Sequence, residues 1–349
     1  MNIFKRVSLL EKIIAVKHLS LMIRAGLTLS VGFKILEQQA SGYFKEVIQA
    51  ILVRMQEGQT LAESLAKFPR VFPPIFFNLI KVGEKSGTLE KTLSYLSEYL
   101  EKTMVLRRKI RGAMLYPVFI LVIAIGVGLS VALFVLPKLT QVFSSLDIKL
   151  PVATRILLFL AGFSESYGLW MVFSILILIG ALVWLSQQKF AKPYFHRLAL
   201  RLPLMGRISR DHNLAIFTRT LGILLKSGLP IKESLEITSE STDNFVYGEY
   251  VKSLIGQVEQ GKTLSSGLQN QFLFPGIAVQ IIEIGEKTGS LEESLLYLTQ
   301  FYEEEVSYAS ENLSNVLEPM LLVVIGVVVA FVALAIITPI YQITAGMNI

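Results

Sequence analysis

The octapeptide Gly256-Gln-Val-Glu-Gln-Gly261-Lys262-Thr263 matches G-x-x-x-x-G-K-[ST] letter for letter, a pattern that cradles nucleotide phosphates in backbone amides. Such a loop needs a buried strand before it and a helix after it. Here Tyr250, Val251, Leu254, Ile255 and Val258 precede it at helical spacing, no apolar strand ending in a magnesium-binding Asp follows, and the related block Val53 to Thr60 lacks both the first Gly and the Lys. The stretch reads instead as a helix C-cap glycine followed by an N-cap threonine, and the chain itself is not expected to hydrolyse ATP. His18, His196 and His212 stand far apart with no i, i+4 partner, so no metal site is expected. Glu292, Glu293, Glu303, Glu304, Glu305 and Glu311 read as a solvated helix face rather than a cation site. No H-E-x-x-H and no Ser/His/Asp arrangement in a recognisable context is present, and the long apolar runs contain nothing titratable, which argues against an intramembrane protease or an ion-coupled transporter. The expectation is no enzyme, no metal and no cofactor.

The other candidate residues come in duplicate. Gly83-Glu84-Lys85-Ser86-Gly87-Thr88-Leu89-Glu90 recurs as Gly285-Glu286-Lys287-Thr288-Gly289-Ser290-Leu291-Glu292, 202 positions on. The paired glycines suit a short turn with positive φ, Thr88 and Ser290 suit helix N-caps, and Glu90 and Glu292 fall in the first turn, where they complement the macrodipole. The helices so opened share a face: Leu89, Leu93, Leu96, Leu100 in one copy and Leu291, Leu295, Leu298, Tyr302 in the other. A turn needs only the glycines. The Glu and Lys of both copies form either an internal ion pair bracing the turn or a contact surface for a partner, and both readings stay open here.

The elements that hold these motifs are helical and membrane-bound. The chain is 52% hydrophobic with a mean hydropathy of +0.56, too apolar for an ordinary soluble protein. The reading divides it into a first helical bundle over 1–115, a transmembrane helix over 116–137, an external linker over 138–167, a second span over 168–186, a second bundle over 187–317, a third span over 318–340 and a short external tail over 341–349. Pro117 and Pro319 are expected to kink the helices at membrane entry. No cleavable signal is visible, because Lys5 and Arg6 are followed by Glu11, Lys12 and Lys17 rather than an apolar core. The absence of cysteine fits a reducing compartment. Residues 1–115 carry 18 Lys/Arg against 9 Asp/Glu, and residues 186–317 carry 12 against 15. Basic flanks before the first span and after the second place both on the cytoplasmic side, with the N-terminus cytoplasmic. Nucleic acid is not an expected partner, since the basic residues lack interleaved aromatics or a binding motif.

Within the first bundle, Leu9 to Ile23 forms a helix ended by Ala25-Gly26-Leu27. Ser30 caps a second helix, a third stops at Gly58, Thr60 to Glu63 is a capping box for a short fourth, Ile75 to Val82 is a fifth, and the Gly83 motif opens the sixth. Ser227-Gly228-Leu229 answers Ala25-Gly26-Leu27, Gln260-Gly261 answers Glu57-Gly58, Pro275 answers Pro73, and Pro319 and Pro339 answer Pro117 and Pro137. The fold class is therefore all-α: an integral membrane protein with two homologous six-helix cytoplasmic bundles and three transmembrane helices. The unduplicated middle span is required if both bundles are to lie on one side.

With repeat, spans and turns in hand, the chain resembles the inner-membrane platform proteins of type IV filament machines, the family that includes type II secretion protein F and the type IV pilus and competence platforms. The resemblance rests on Gly26, Gly58, Gly83, Glu84, Lys85, Gly87 and Pro117 in one half and Gly228, Gly261, Gly285, Glu286, Lys287, Gly289 and Pro319 in the other. It implies a multi-pass protein of the cytoplasmic (inner) membrane that oligomerises. It also implies work beside a cytoplasmic hexameric ATPase, pilin or pseudopilin subunits and other inner-membrane assembly proteins. The chain starts almost at the first bundle, without the N-terminal extension common in the secretion and pilus branches, and so does not indicate which filament it serves.

Overall fold

The computed structural model describes residues 7–131, 155–156, 159, 170, 173–174, 177–178, 180–181, 184–186, 188, 190–202, 205–268 and 272–346. Most of the expected linker and nine of the nineteen residues of the expected middle span lie outside them. Among the described residues there is no strand. The helices run α1 Leu9–Arg24, α2 Leu29–Gln39, α3 Gly42–Gln56, α4 Leu61–Ala66, α5 Pro74–Ser86, α6 Leu89–Ser130, α7 Lys192–Arg201, α8 Met205–Lys226, α9 Ile231–Ser241, α10 Phe245–Glu259, α11 Leu264–Gly267, α12 Gly276–Thr288 and α13 Leu291–Gly346. Helices α1 to α6 correspond in order to α8 to α13, and α7 has no counterpart in the first half.

Local signals set most of the boundaries. Ser8 and Glu11 close a capping box on α1, and Thr60 and Glu63 close the expected one on α4. Two expectations shift. Helix α2 is capped by Thr28, not Ser30, because the helix begins two residues earlier, at Leu29, and leaves Ser30 inside its first turn. Helix α5 runs past Val82 to Ser86, since nothing in Gly83-Glu84-Lys85-Ser86 breaks a helix until Gly87 turns it with φ +70°. Pro117 lies inside α6, and α13 runs through Pro319 and on to Gly346, into the segment read as a tail.

The chain forms two compact units. One comprises Met1–Ile110 with Pro193–Ala309 and so holds all of each repeat but the far part of its last helix; the other comprises Arg111–Lys192 with Ser310–Ile349. In the first unit a continuous core takes Val16 and Leu19 of α1, Ile48 and Ile51 of α3, Ile75 and Leu79 of α5 and Leu93 and Leu96 of α6, then extends to Ile223, Leu224, Leu229 and Ile237 of the second repeat. Polar contacts join the repeats as well. Lys226 lies over the Tyr95 ring at 5.4 Å, Arg219 donates to Thr103 Oγ1 at 3.2 Å, and Arg107 pairs with Asp243 at 3.3 Å.

This packing is head-to-tail, not twofold. A twofold arrangement would add the mirrored contacts Arg24 with Tyr297 and Lys17 with Glu305. Instead Arg24 pairs with Glu90 and Lys17 with Glu101 inside the first repeat, Tyr297 is exposed, and Glu305 pairs with Arg207.

In the second unit the apolar side chains face outward. Leu115, Phe119 and Val122 of α6 and Met320, Val323 and Val327 of α13 are all exposed. Two helical stretches, Leu89–Gly128 and Leu291–Leu334, are long and apolar enough to cross a membrane, with mean hydropathies of 2.1 and 2.7 in their most apolar windows. Apolar surface of this extent is stable when lipid, not water, solvates it.

Candidate functional site

The duplicated Gly-Glu-Lys-x-Gly motif is a packing module in which each letter has a separate place. The first glycine is not in the turn. Gly83 ends up in α5 and Gly285 in α12, both buried against the helix that follows. A Cβ at Gly83 would meet Thr92 Oγ1 at 2.6 Å, and one at Gly285 would meet Ser294 Oγ at 2.5 Å. The second glycine is the turn: Gly87 and Gly289 have φ of +70° and +72° and close the helices as left-handed caps. Gly26, Gly58, Gly228 and Gly261 also have positive φ, at the ends of α1, α3, α8 and α10. The Thr88 and Ser290 hydroxyls, expected to cap, each share a 2.7 Å hydrogen bond with the hydroxyl two residues before, Ser86 and Thr288.

The glutamate of each motif turns inward. Glu84 accepts from the backbone N–H groups of Leu61 at 2.7 Å and Ala62 at 3.1 Å, and Glu286 accepts from Leu264 at 2.5 Å and Ser265 at 2.9 Å. Each carboxylate thus caps the short helix α4 or α11, meeting the free N–H groups and positive end of its dipole. The lysines do not pair with these glutamates. Lys85 is exposed, and Lys287 pairs with Glu283 one turn earlier at 2.5 Å. Neither half of the brace was read from the sequence, because the acceptor lies more than twenty residues from its donors. The only signal was that the Glu follows the Thr60-Leu61 and Thr263-Leu264 blocks at nearly the same spacing, 24 residues after Thr60 and 23 after Thr263. Glu84→Ala and Glu286→Ala are each expected to cost about 1–3 kcal/mol, since two buried donors lose their acceptor. Lys85→Ala is expected to change stability by less than about 0.5 kcal/mol. Thermal unfolding of the full chain in detergent checks both, and an equal loss from Lys85→Ala would remove the distinction.

The second repeat holds a cluster of ionisable groups without parallel in the first. Asp211 and His212 stand where the first repeat has Leu9 and Leu10. Burial pushes the Asp211 carboxyl up to about 6; Arg207 pulls it down and Glu305 adds to the rise. Burial, with the charges of Arg107 and Arg219, pushes the His212 imidazole down to about 4, against Asp243, and its Nδ1 is buried without a hydrogen-bond partner. The two act oppositely on stability. His212 favours its neutral form, so its contribution is full above 6.5 and is lost as pH falls from 6.5 to 4, by roughly 3 kcal/mol. Asp211 favours its protonated form, so its penalty is full above 6 and is relieved as pH falls from there towards 3.8. Asp211→Leu is therefore expected to make the protein lose more stability than wild type between pH 7 and 4.5, and His212→Leu to make it gain. Unfolding midpoints across that range measure both slopes.

The nucleotide pattern is resolved as expected. Gly256 lies within α10, Gly261 follows the end of α10 with φ +80°, and Thr263 caps α11 by accepting from Ser266 N–H. His18 bonds Gln39 at 3.0 Å and His196 accepts from Phe245 N–H at 2.9 Å. Among the described residues no group of His, Asp and Glu is arranged to hold a metal ion.

The chain matches the family model "Type II secretion system (T2SS), protein F" twice, over residues 15–137 and 217–339. It is 33% identical over 335 residues to the type IV pilus assembly protein PilC of Thermus thermophilus, covering 95% of this chain and 82% of that protein. It is 32% identical over 347 residues to the type II secretion system protein F of Aeromonas hydrophila, covering 97% and 88%. To the type IV pilus assembly protein PilC of Pseudomonas aeruginosa it is 31% identical over 344 residues, covering 97% and 91%.

Proposed function

Because the chain belongs to the type II secretion system protein F family, an assembly family and not an enzyme family, we propose that it is the inner-membrane platform of a type IV filament machine. In this reading it couples a cytoplasmic hexameric ATPase to the extrusion of pilin or pseudopilin subunits. The observation that carries it is the duplication itself: two copies of one braced helical unit, each ending in a helix, α6 or α13, that also contains an apolar window. A protein built this way has surfaces to be moved and helices to move, and the energy comes from a neighbour.

The reading places both repeats in the cytoplasm, three spans in the bilayer and the chain in a homo-oligomer beside other inner-membrane assembly proteins. The exposed Lys85 and Lys287 ends of α5 and α12 are the motif positions left for partner contact. Deleting the gene is expected to abolish filament assembly or secretion, and the ATPase is expected to co-purify with the full chain but not with a chain in which the repeats are disrupted. Normal filaments in the deletion strain would end the proposal. A passive scaffold is separated by substitutions at Lys85 and Lys287 that leave the complex assembled: the platform stops filament growth, the scaffold does not. Single cysteines at Gly42, Ser144 and Gln269 test topology, with only Ser144→Cys expected to react with an external reagent.

A further inference from the structure

The head-to-tail packing of the repeats leaves one surface of each kind unfilled. On α8 of the second repeat, Ile216, Arg219 and Ile223 are buried, at 8%, 3% and 7% exposure, as is Leu229 in the turn after it. Ile223 and Leu229 join the core of the first repeat, Arg219 reaches Thr103, and Lys226 one turn on lies over Tyr95. Their counterparts on α1 and in the turn after it are Ile14, Lys17, Leu21, Arg24 and Leu27. Ile14, Leu21 and Leu27 are exposed, as is Lys17, and a groove of about 240 Å³ opens beside Lys17, Leu21 and Arg24. The complementary surface differs in the opposite sense. Tyr95 of the first repeat is half-buried and Leu106 buried, while the matching Tyr297 and Tyr308 of α13 are exposed at 61% and 62%; Phe301, which matches the buried Tyr99, is half-buried.

We propose that a second copy of this chain fills the α1 groove with the Tyr297 face of its α13, repeating between copies the contact that already joins the two repeats within one. The inference rests on the self-association included in the proposed function and adds its surface and polarity. Charge favours this pairing over a like-with-like one. The first repeat carries an excess of positive charge and the second an excess of negative charge, and transposing the internal contacts puts Arg24 over the Tyr297 ring and Lys17 opposite Glu305. A contact between two different surfaces of one chain closes as a ring or continues as a screw, so the assembly so built is cyclic or helical, and in either case every chain uses both surfaces.

The chain has no cysteine of its own, which makes the test direct. Two differently tagged full-length chains, one with Arg24→Cys and the other with Tyr297→Cys, are co-expressed in membranes and treated with a short bis-maleimide. Both positions are exposed, so the fold is retained, and a Tyr95→Cys, Lys226→Cys double variant supplies the internal cross-link as a positive control. The expected result is a mixed cross-linked dimer that is lost when either cysteine is absent. A dominant Arg24→Cys to Arg24→Cys dimer would overturn the proposal in favour of a twofold interface. Self-association by light scattering with no cross-link at this pair would overturn it and leave the oligomer standing. A monomer by light scattering would overturn both this surface and the self-association on which it rests.

Discussion

Gly285→Ala is expected to destabilise the protein by about 2–3 kcal/mol, although the same change in an open helix is favourable by about 1 kcal/mol. The new methyl would lie 2.5 Å from Ser294 Oγ, 2.8 Å from Ser294 Cβ and 3.0 Å from Leu291 Cα, so both a side chain and a backbone atom of α13 must move. Gly83→Ala is expected to behave alike, with Thr92 Oγ1 at 2.6 Å and Leu89 Cα at 3.0 Å. Ser294→Gly added to Gly285→Ala clears the side-chain clash and leaves the backbone one, so it should recover part of the loss. Gly256→Ala is the control: nothing lies within 4 Å of its Cβ position, and stability should rise slightly. Thermal unfolding midpoints of the four variants decide the matter. If Gly285→Ala tracked Gly256→Ala, the close approach of α12 to α13 would not be what requires the glycine.

Arg219→Ala is expected to cost about 3–5 kcal/mol, whereas Lys17→Ala, at the same position of the first repeat, should cost less than about 1 kcal/mol. Both cations pair with equivalent glutamates, Arg219 with Glu303 and Lys17 with Glu101. The difference is the cover. Arg219 is buried where the first repeat lies over it, and removing it leaves Glu303, itself largely buried, without its partner; Lys17 and Glu101 remain in water. The double variant Arg219→Met, Glu303→Gln should recover most of the loss, because no uncompensated charge remains. Equal costs at the two positions would mean that the contact between repeats does not desolvate the pair.

What the sequence made legible was local or periodic. The duplication, the apolar helices and the Thr60 to Glu63 box depend on residues a few positions apart or on a repeated pattern, and all three stand in the structure. The misassignments have physical causes of one kind. Glycine serves a left-handed turn and a tight helix crossing equally well, so Gly83 and Gly285 were read as turn residues. Thr28 and Ser30 are both competent caps, and only the start of the helix chooses between them. The inward role of Glu84 and Glu286 depends on donors in another helix. The packing of the repeats on each other left its trace in the sequence only as divergence: Leu9 and Leu10 against Asp211 and His212, polar groups in positions whose surroundings cannot be inferred from one chain.

That the halves meet front to back has a consequence for how such a chain came to exist. A forebear with a single unit, joining its neighbour by this contact, would have used one contact of one kind throughout, whether it closed as a ring or ran on as a screw. Joining two consecutive units in one gene fixes one contact in every two by covalent linkage and frees the linked and unlinked contacts to evolve apart. Such divergence would account for the buried Arg219 at the linked contact and the solvated Lys17 at the equivalent position of the first repeat.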